Sequence, residues 1–411
     1  MRWLFSLIFL FSLLRSQAQA HNLDFYIEAA KSGSPLLKDY KNQVLSNRVD
    51  SEIVRATYRP QVNGISNNLY APVIHGYGYD NVITNGGQLS AVVQASKTFV
   101  SKNNLATQYQ NIHLQNDAVE NTSQIAEKDL KKTITSQYIL SYGDAVAMNF
   151  NEEILHLLEQ EETILKKLTE ANIYKQADYL TFFVSLQQQK LITQQSEIQF
   201  KNDYAQLNYL SGIVDTSVSS LPDPQLHLAT LPDIYNSAFY QQYTIDSLKN
   251  INQRSIVDYS YKPKLNVFAD AGYVSTLTYL PYKNLGVSAG LTLNVPIYDG
   301  KQRQMKQRKI ALAERTRTEY RDFFLKQYDQ QIAQLMQQLN ATESLIQEIN
   351  GQIKYSETLI SVNGKLLEAG TVRITDFILA INTYLNARHL LNQNYINRLQ
   401  IINQINYWQT M

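Results

Sequence analysis

The stretch Tyr58-Arg59-Pro60-Gln61-Val62 returns about two hundred residues later as Tyr261-Lys262-Pro263-Lys264-Leu265. Each proline marks the end of a helix-like segment, because the residue before a proline is pushed out of the helical region. Two alternating, strand-like runs follow each copy, and then more than a hundred residues without proline. An internal repeat of this kind predicts one pseudo-symmetric fold made of two equivalent units.

The repeat sets the expected organisation of the chain. We expect a first repeat over residues 21–218, a linker with three prolines over 219–232, and a second repeat over 233–411. Each repeat would open with helix, continue into a β pair, and end in a long helical hairpin. The β pairs are predicted at about 61–98 and 264–297, and the hairpins at about 100–212 and 300–411. The linker is expected outside the body, where insertions are tolerated.

Local signals predict where several helices begin and turn. Ser34 and Pro35 are suited to the N-cap and the first position of a helix. Apolar residues from Leu325 to Ile360 follow the spacing of a heptad seam, interrupted only by the polar Thr342 and Ser356. The long hairpins are predicted to reverse at Ala171–Asp178 and at Gly364–Asp376, with Gly364 and Gly370 as helix breakers.

The second β pair carries the clearer strand pattern. Its last strand alternates apolar residues with small or polar ones, and the apolar set is Val287, Ala289, Leu291, Leu293 and Val295. One apolar face and one polar face is what a strand between lipid and a wet lumen requires, so we predict that these five residues face lipid. An ordinary sandwich strand alternates in the same way, and the pattern alone leaves that alternative open.

The N-terminus indicates export. Arg2, the apolar run from Leu4 to Leu14 and the segment Ala18-Gln19-Ala20 match a secretory signal peptide over residues 1–20, with an amphipathic anchor as the alternative. Its removal takes the basic residues from 37 to 35 against 36 acidic ones. That balance argues against a general nucleic-acid binder, which would show a concentrated basic face. The sequence contains no cysteine, which excludes disulfides, thiol catalysis and cysteine-bound zinc.

No pattern in the sequence indicates an enzyme, a cofactor or a metal. The six histidines lack the helical spacing of metal ligands. The phosphate-binding loop is missing, and Gly286-Val287-Ser288-Ala289-Gly290 lies inside an alternating strand-like run rather than at the strand-to-helix turn that a Gly-x-Ser-x-Gly nucleophile requires.

The residues at the two predicted helix reversals are the candidates for a functional site. Asp178 and Asp376 occupy matching places in the two repeats, and Gly370, Arg373 and Thr375 lie beside the second. Each Asp suits the start of a returning helix, where a carboxylate satisfies free N–H groups. Alternatively, such residues form an acidic ring when several chains assemble, and rings of this kind select cations.

These features resemble the TolC-like outer-membrane efflux protein family along the whole chain after the signal. The resemblance is carried by the two Tyr-basic-Pro segments, by Val295-Pro296-Ile297-Tyr298-Asp299-Gly300, and by the turn-like segment from Gly370 to Phe377. The family's turn glycine has no evident match near Tyr174, which predicts a differently shaped first turn. A second Asp that some members carry is Leu379 here.

The resemblance implies an α+β membrane protein with four strands in each chain. Three chains would form one twelve-stranded β-barrel, continued by a periplasmic α-helical barrel. A homotrimer in the cell outer membrane, contacting outer-membrane lipid, would bind a periplasmic adaptor protein and an inner-membrane transporter. It would act as the passive exit duct of a tripartite efflux system, and Asp178, Gly370, Arg373, Thr375 and Asp376 would form its periplasmic aperture.

Two other functions stay open from the sequence. One is the outer-membrane duct of a type I protein-secretion system, which the same features would fit. The other is a secreted structural helical rod, which accounts for the heptads and the signal but not for four alternating strands.

Overall fold

The computed structural model describes residues 21–80, 86–215, 217–228, 230, 233–276 and 280–408. The predicted signal peptide lies outside the described residues. In chain order the elements are α1 (Leu23–Gly33), α2 (Pro35–Thr57), β1 (Gln61–Tyr70), β2 (Gly87–Phe99), α3 (Lys102–Glu170), α4 (Gln176–Ser211), α5 (Ala238–Ser260), β3 (Lys264–Ser275), β4 (Leu285–Asn294), α6 (Gln302–Glu368) and α7 (Ile374–Asn406).

Capping residues and prolines set several of these boundaries, as predicted. The backbone N–H of Leu37 donates to the Ser34 hydroxyl at 3.3 Å, and α2 begins at Pro35. Helices α2 and α5 both end directly before the Tyr-basic-Pro segments. Strands β1 and β3 begin directly after the prolines of those segments. The same local sequence therefore makes the same helix-to-strand switch twice.

The four strands form one antiparallel sheet in the order β1-β2-β3-β4. Within each repeat the two strands pair as neighbours, and β2 pairs with β3 to join the repeats. The joining register places Val93 opposite Ala271 and Phe99 opposite Leu265. The sheet leaves β1 and β4 as its two edges.

The heptad seam of α6 is buried, as the spacing predicted. Leu335, Leu339, Ile349 and Ile353 lie in the interior, and so do the polar Thr342 and Ser356 at the interrupted positions. Polar contacts across the seam join α6 to α7. The Arg398 guanidinium donates to Glu343 at 2.9 Å, and the Asn397 amide donates to Thr342 at 3.4 Å.

The chain divides into two compact units. One comprises the described residues up to Lys38, Ser123–Phe239 and the described residues from Phe324 onward, and the other comprises Asp39–Thr122 and Tyr240–Phe323. The second unit holds the sheet, and the first holds both helix reversals. Within the described residues, no helix combines the length and the hydropathy that a membrane span requires.

The segment between the repeats is predicted as a linker outside the body, and part of it is packed against the helices. Leu221 is buried in a core cluster with residues of α1, α3 and α4. The Tyr138 hydroxyl donates to the carbonyl of Pro222 at 2.8 Å, and the Tyr395 hydroxyl donates to Asp223 at 2.7 Å. Buried tyrosines thus hold a segment whose prolines alone predicted a loose connection.

Candidate functional site

The apolar side chains of β4 lie on one exposed face of the sheet. Val287, Leu291 and Leu293 are 84%, 71% and 61% exposed, and Ala289 between them is exposed as well. Val295 is also exposed but lies one residue beyond the end of β4. The single chain therefore presents a row of apolar residues to its surroundings.

The neighbouring strands extend this apolar face. Directly opposite residues of an antiparallel pair share a face, and Leu293, Leu291 and Val287 lie opposite Leu265, Val267 and Ala271. The face continues onto β2 through Val93 and Phe99, both of which are about half exposed. An apolar patch across several strands marks a contact with lipid or with protein.

The opposite face of the sheet is mostly polar. The Ser288 hydroxyl donates to Asp270 at 2.8 Å, and the Thr98 hydroxyl donates to Asn266 at 3.3 Å. Phe268 is an exception, and its ring covers the position where Gly290 lacks a side chain. The two faces of the sheet therefore differ in polarity, as the alternating sequence predicted. On the polar face, the small Gly290 makes room for the large ring of Phe268 on the opposite strand.

Exposed tyrosines lie at the loop end of the sheet. Tyr70, Tyr77, Tyr79 and Tyr282 are all highly exposed, and Lys283 lies 5.8 Å from the ring centroid of Tyr282. Tyrosines in such places are typical of the interfaces of membrane proteins, where the ring is apolar and the hydroxyl meets water.

The two helix reversals have the same backbone structure. After α3, the N–H groups of Asn172 and Ile173 donate to the carbonyls of Thr169 and Leu168 at 3.0 and 2.9 Å. After α6, the N–H groups of Gly370 and Thr371 donate to the carbonyls of Leu367 and Leu366 at 2.9 Å each. Asn172 has a φ of 61° and Gly370 a φ of 70°, so both are left-handed. This is the bonding that ends many helices.

These bonds correct two expectations about the turns. Asn172, not Tyr174, matches Gly370, and asparagine tolerates the left-handed conformation, so the first turn is not differently shaped. Gly364 does not break a helix, because α6 continues through it to Glu368. An isolated glycine lowers helix propensity by about 1 kcal/mol, which the packing of a long helix easily outweighs.

The two predicted aspartates occupy the third position of their helices but form different contacts. Asp178 accepts a hydrogen bond from the backbone N–H of Lys175 at 3.3 Å, which is a capping role. Asp376 instead binds the Arg373 guanidinium through both oxygens, at 3.0 and 3.2 Å. Thr375 lies between Arg373 and Asp376 in the sequence, at the second position of α7, and its side chain is exposed. The exposed Leu379 follows one turn later.

Contacts that the sequence did not predict join the two turns to each other. The Tyr174 hydroxyl donates to the carbonyl of Val372 at 2.9 Å and lies 3.3 Å from that of Leu367. Phe182 and Phe377 are fully buried with parallel rings, 6.4 Å between centroids. Residues of all four long helices share this apolar cluster. The turns of one chain are therefore packed as one body.

A pair of carboxyl groups lies between α3 and α4. Burial, a hydrogen bond to Asp203 and the charge of that group together raise the pKa of Asp144 to about 7. The amides of Gln137 and Gln199 donate to Asp203 at 3.2 and 2.6 Å, which helps to hold the pKa of Asp203 below its usual value. Asp144 therefore loses its proton at a higher pH than Asp203 does. Across the described residues, no group of acidic or histidine side chains forms a metal site.

Solved structures with this fold are known, although no family model and no curated protein sequence matches the chain. CusC, studied for folding and transmembrane channel formation, has 12% identity and a TM-score of 0.75 over 96% of this chain and 93% of that chain. The outer membrane protein VceC from Vibrio cholerae has 13% identity and a TM-score of 0.73, with 94% and 95% covered. The open state of the Neisseria gonorrhoeae MtrE outer membrane channel has 12% identity and a TM-score of 0.73, with 94% and 88% covered. The resemblance to TolC-like proteins is confirmed at the level of the fold.

Proposed function

We propose that this chain, which has the fold of TolC-like outer-membrane channels, is the passive exit duct of a tripartite efflux system. The observation that carries the proposal is the sheet. One of its faces is apolar and exposed across three strands, its other face is mostly polar, and both edges are free for pairing. Closure with further copies would satisfy the edges, and lipid would cover the apolar face.

Three copies would complete the barrel, in line with the number inferred from the sequence resemblance. The helices would continue the duct into the periplasm, where an adaptor protein and an inner-membrane transporter would supply the substrate and the driving force. The secreted rod is disfavoured, because a protein that stays in water rarely exposes so broad an apolar face. Type I protein secretion remains the second candidate, since the same sheet would serve it.

We place the aperture of the duct at the two turns. Asp376 is the stronger candidate for a pore residue, because its carboxylate binds a side chain and makes no capping bond to the backbone of Arg373. Gly370, Arg373 and Thr375 shape the same turn, and Asp178 occupies the equivalent place in the other one. Carboxylates from three copies would attract cations at the narrowest point.

The test combines fractionation with conductance. The protein should remain with outer membranes after a urea wash, run at three times the chain mass in detergent, and form cation-selective channels in planar bilayers. Recovery of a urea-soluble monomer without conductance would rule out the duct. Deletion of the gene should raise the cellular content of an amphipathic dye if the duct serves efflux, and should block export of a protein instead if it serves secretion.

A further inference from the structure

A cavity of about 1000 Å³ lies between the helices α3, α4, α6 and α7. Its volume is in the range of sites that hold drug-sized molecules. Of its twenty lining residues, nine are apolar or aromatic and eight are asparagine or glutamine. None of the twenty is aspartate or glutamate. The wall therefore offers apolar surface and neutral hydrogen-bonding groups, with no negative charge.

Hydrogen bonds between helices fix part of this wall. The Gln189 amide is buried and donates to the carbonyl of Asn151 at 3.2 Å. The Asn151 amide donates to the Ser196 hydroxyl at 3.2 Å, and the Asn392 amide donates to the carbonyl of Gly143 at 2.9 Å. Since these contacts join different helices, the cavity is formed before any ligand arrives.

Arg388 supplies positive charge to the cavity. Its guanidinium lies 5.0 Å from the ring centroid of Phe150, which also lines the cavity. Within the part of the chain that the structure describes, Arg388 forms no ion pair, whereas Arg373 and Arg398 on the same segment bind Asp376 and Glu343. A half-buried guanidinium stacked on an aromatic ring is oriented by that ring and keeps its hydrogen-bond donors for an anion.

We infer that this cavity binds small amphipathic organic anions, with Arg388 contacting the carboxylate or sulfonate group and the apolar wall covering the hydrocarbon part. His389, which also lines the cavity, adds a second nitrogen donor. The inference rests on the proposed function and extends it, since it adds a binding site for one class of compound to the helical part of the duct. The same charge and shape would disfavour cationic compounds at this position.

The test uses the purified full assembly in a non-ionic detergent and isothermal titration calorimetry. The probes are naphthalene-1-sulfonate and the uncharged 1-naphthylmethanol, which share one ring system. Arg388→Gln should weaken sulfonate binding at least tenfold and leave naphthylmethanol binding unchanged. Arg388→Lys should lose less of the affinity for the sulfonate than Arg388→Gln does. Arg398→Gln is the matched control, because it removes an equal charge from the same helix outside the cavity and should bind the sulfonate as the wild type does.

Two results would overturn the inference. One is equal binding of the two probes by the wild type, or no binding of either. The other is unchanged sulfonate binding by Arg388→Gln in a protein whose melting temperature matches that of the wild type. Conductance separates this inference from the proposed function. If the wild type conducts in planar bilayers but does not prefer the sulfonate, the binding site is refuted and the duct stands, whereas a protein that never conducts refutes the duct.

Discussion

Alanine at Gly370 should loosen the end of α6, whereas alanine at Gly351 should stabilise the interior of α6. Gly370 has a φ of 70°, which costs an alanine roughly 1–2 kcal/mol. A Cβ at Gly370 would also lie 2.6 Å from Cγ2 of Ile173. Ile173 is 53% exposed and can move, so the contact adds little to the backbone strain. We expect a total cost of about 1–2 kcal/mol, mainly from the left-handed backbone.

Gly351 is the matched control. It lies in the interior of α6, and no atom lies within 4 Å of a Cβ built there. Alanine at that position should stabilise the helix by roughly 0.5–1 kcal/mol, because glycine loses more conformational freedom on folding. The same Gly→Ala change should therefore act in opposite directions about twenty residues apart.

Hydrogen exchange with mass spectrometry measures the effect where it arises. The Thr371 amide, which donates to Leu366 at 2.9 Å, should exchange about 5–30 times faster in Gly370→Ala, as 1–2 kcal/mol implies. Gly351→Ala should leave that amide unchanged. The double variant Gly370→Ala with Ile173→Ala separates the backbone strain at residue 370 from the contact with Ile173. Its Thr371 amide should still exchange fast, because the φ at residue 370 is unchanged. Wild-type protection of Thr371 in Gly370→Ala would refute the left-handed turn.

Three further predictions follow from the sheet, the turns and the carboxyl pair. Leu291→Arg should cost roughly 2–4 kcal/mol and impair assembly, whereas Thr292→Arg on the polar face should be tolerated; equal behaviour of the two in a heat-modifiability gel would contradict the assignment of the faces. Asp376→Ala should lower cation selectivity in planar bilayers, and Asp178→Ala should lower it more weakly while lowering the melting temperature through the lost cap. If Asp376→Ala changes only the melting temperature, the aperture assignment is wrong. Asp144 has a folded pKa raised to about 7, so its contribution to stability is greatest at acid pH and is lost as the pH rises from about 4 to about 7. Asp144→Asn should therefore flatten this part of the curve of melting temperature against pH, and an unchanged curve would show that Asp144 ionises normally.

Features that depend on neighbouring residues in the chain could be predicted from the sequence. Ser34 and Pro35 start α2 as their chemistry requires, and the spacing along α6 identified its buried seam. Each of these signals acts within a few residues. The Tyr-basic-Pro segment, which occurs twice, therefore predicted the same switch from helix to strand at both places. The fold class followed from the resemblance to TolC-like proteins that these segments carry, and the solved structures confirm it.

Features that join distant residues could not be predicted in this way. The pairing of β2 with β3 joins the two repeats, and no local pattern specifies it. Asp144 and Asp203 meet only because α3 and α4 are antiparallel neighbours, and Arg388 reaches Phe150 from the other repeat. Asn172 could have been found, since asparagine is the common substitute for glycine at a helix end, but only by aligning the turns on their hydrogen bonds.

The duplicated turns keep one backbone and differ in the side chains that act on it. Lys175 and Arg373 both precede the first residue of the returning helix, yet only the arginine binds the following aspartate through its side chain. A guanidinium presents two donors in one plane and matches both oxygens of a carboxylate, which a lysine ammonium does not. Asp178 is therefore left to cap its own backbone, while Asp376 is held by a side chain that can rotate away. A gate requires a contact that can break without unfolding a helix, and of the two turns only the second has such a contact at its aspartate.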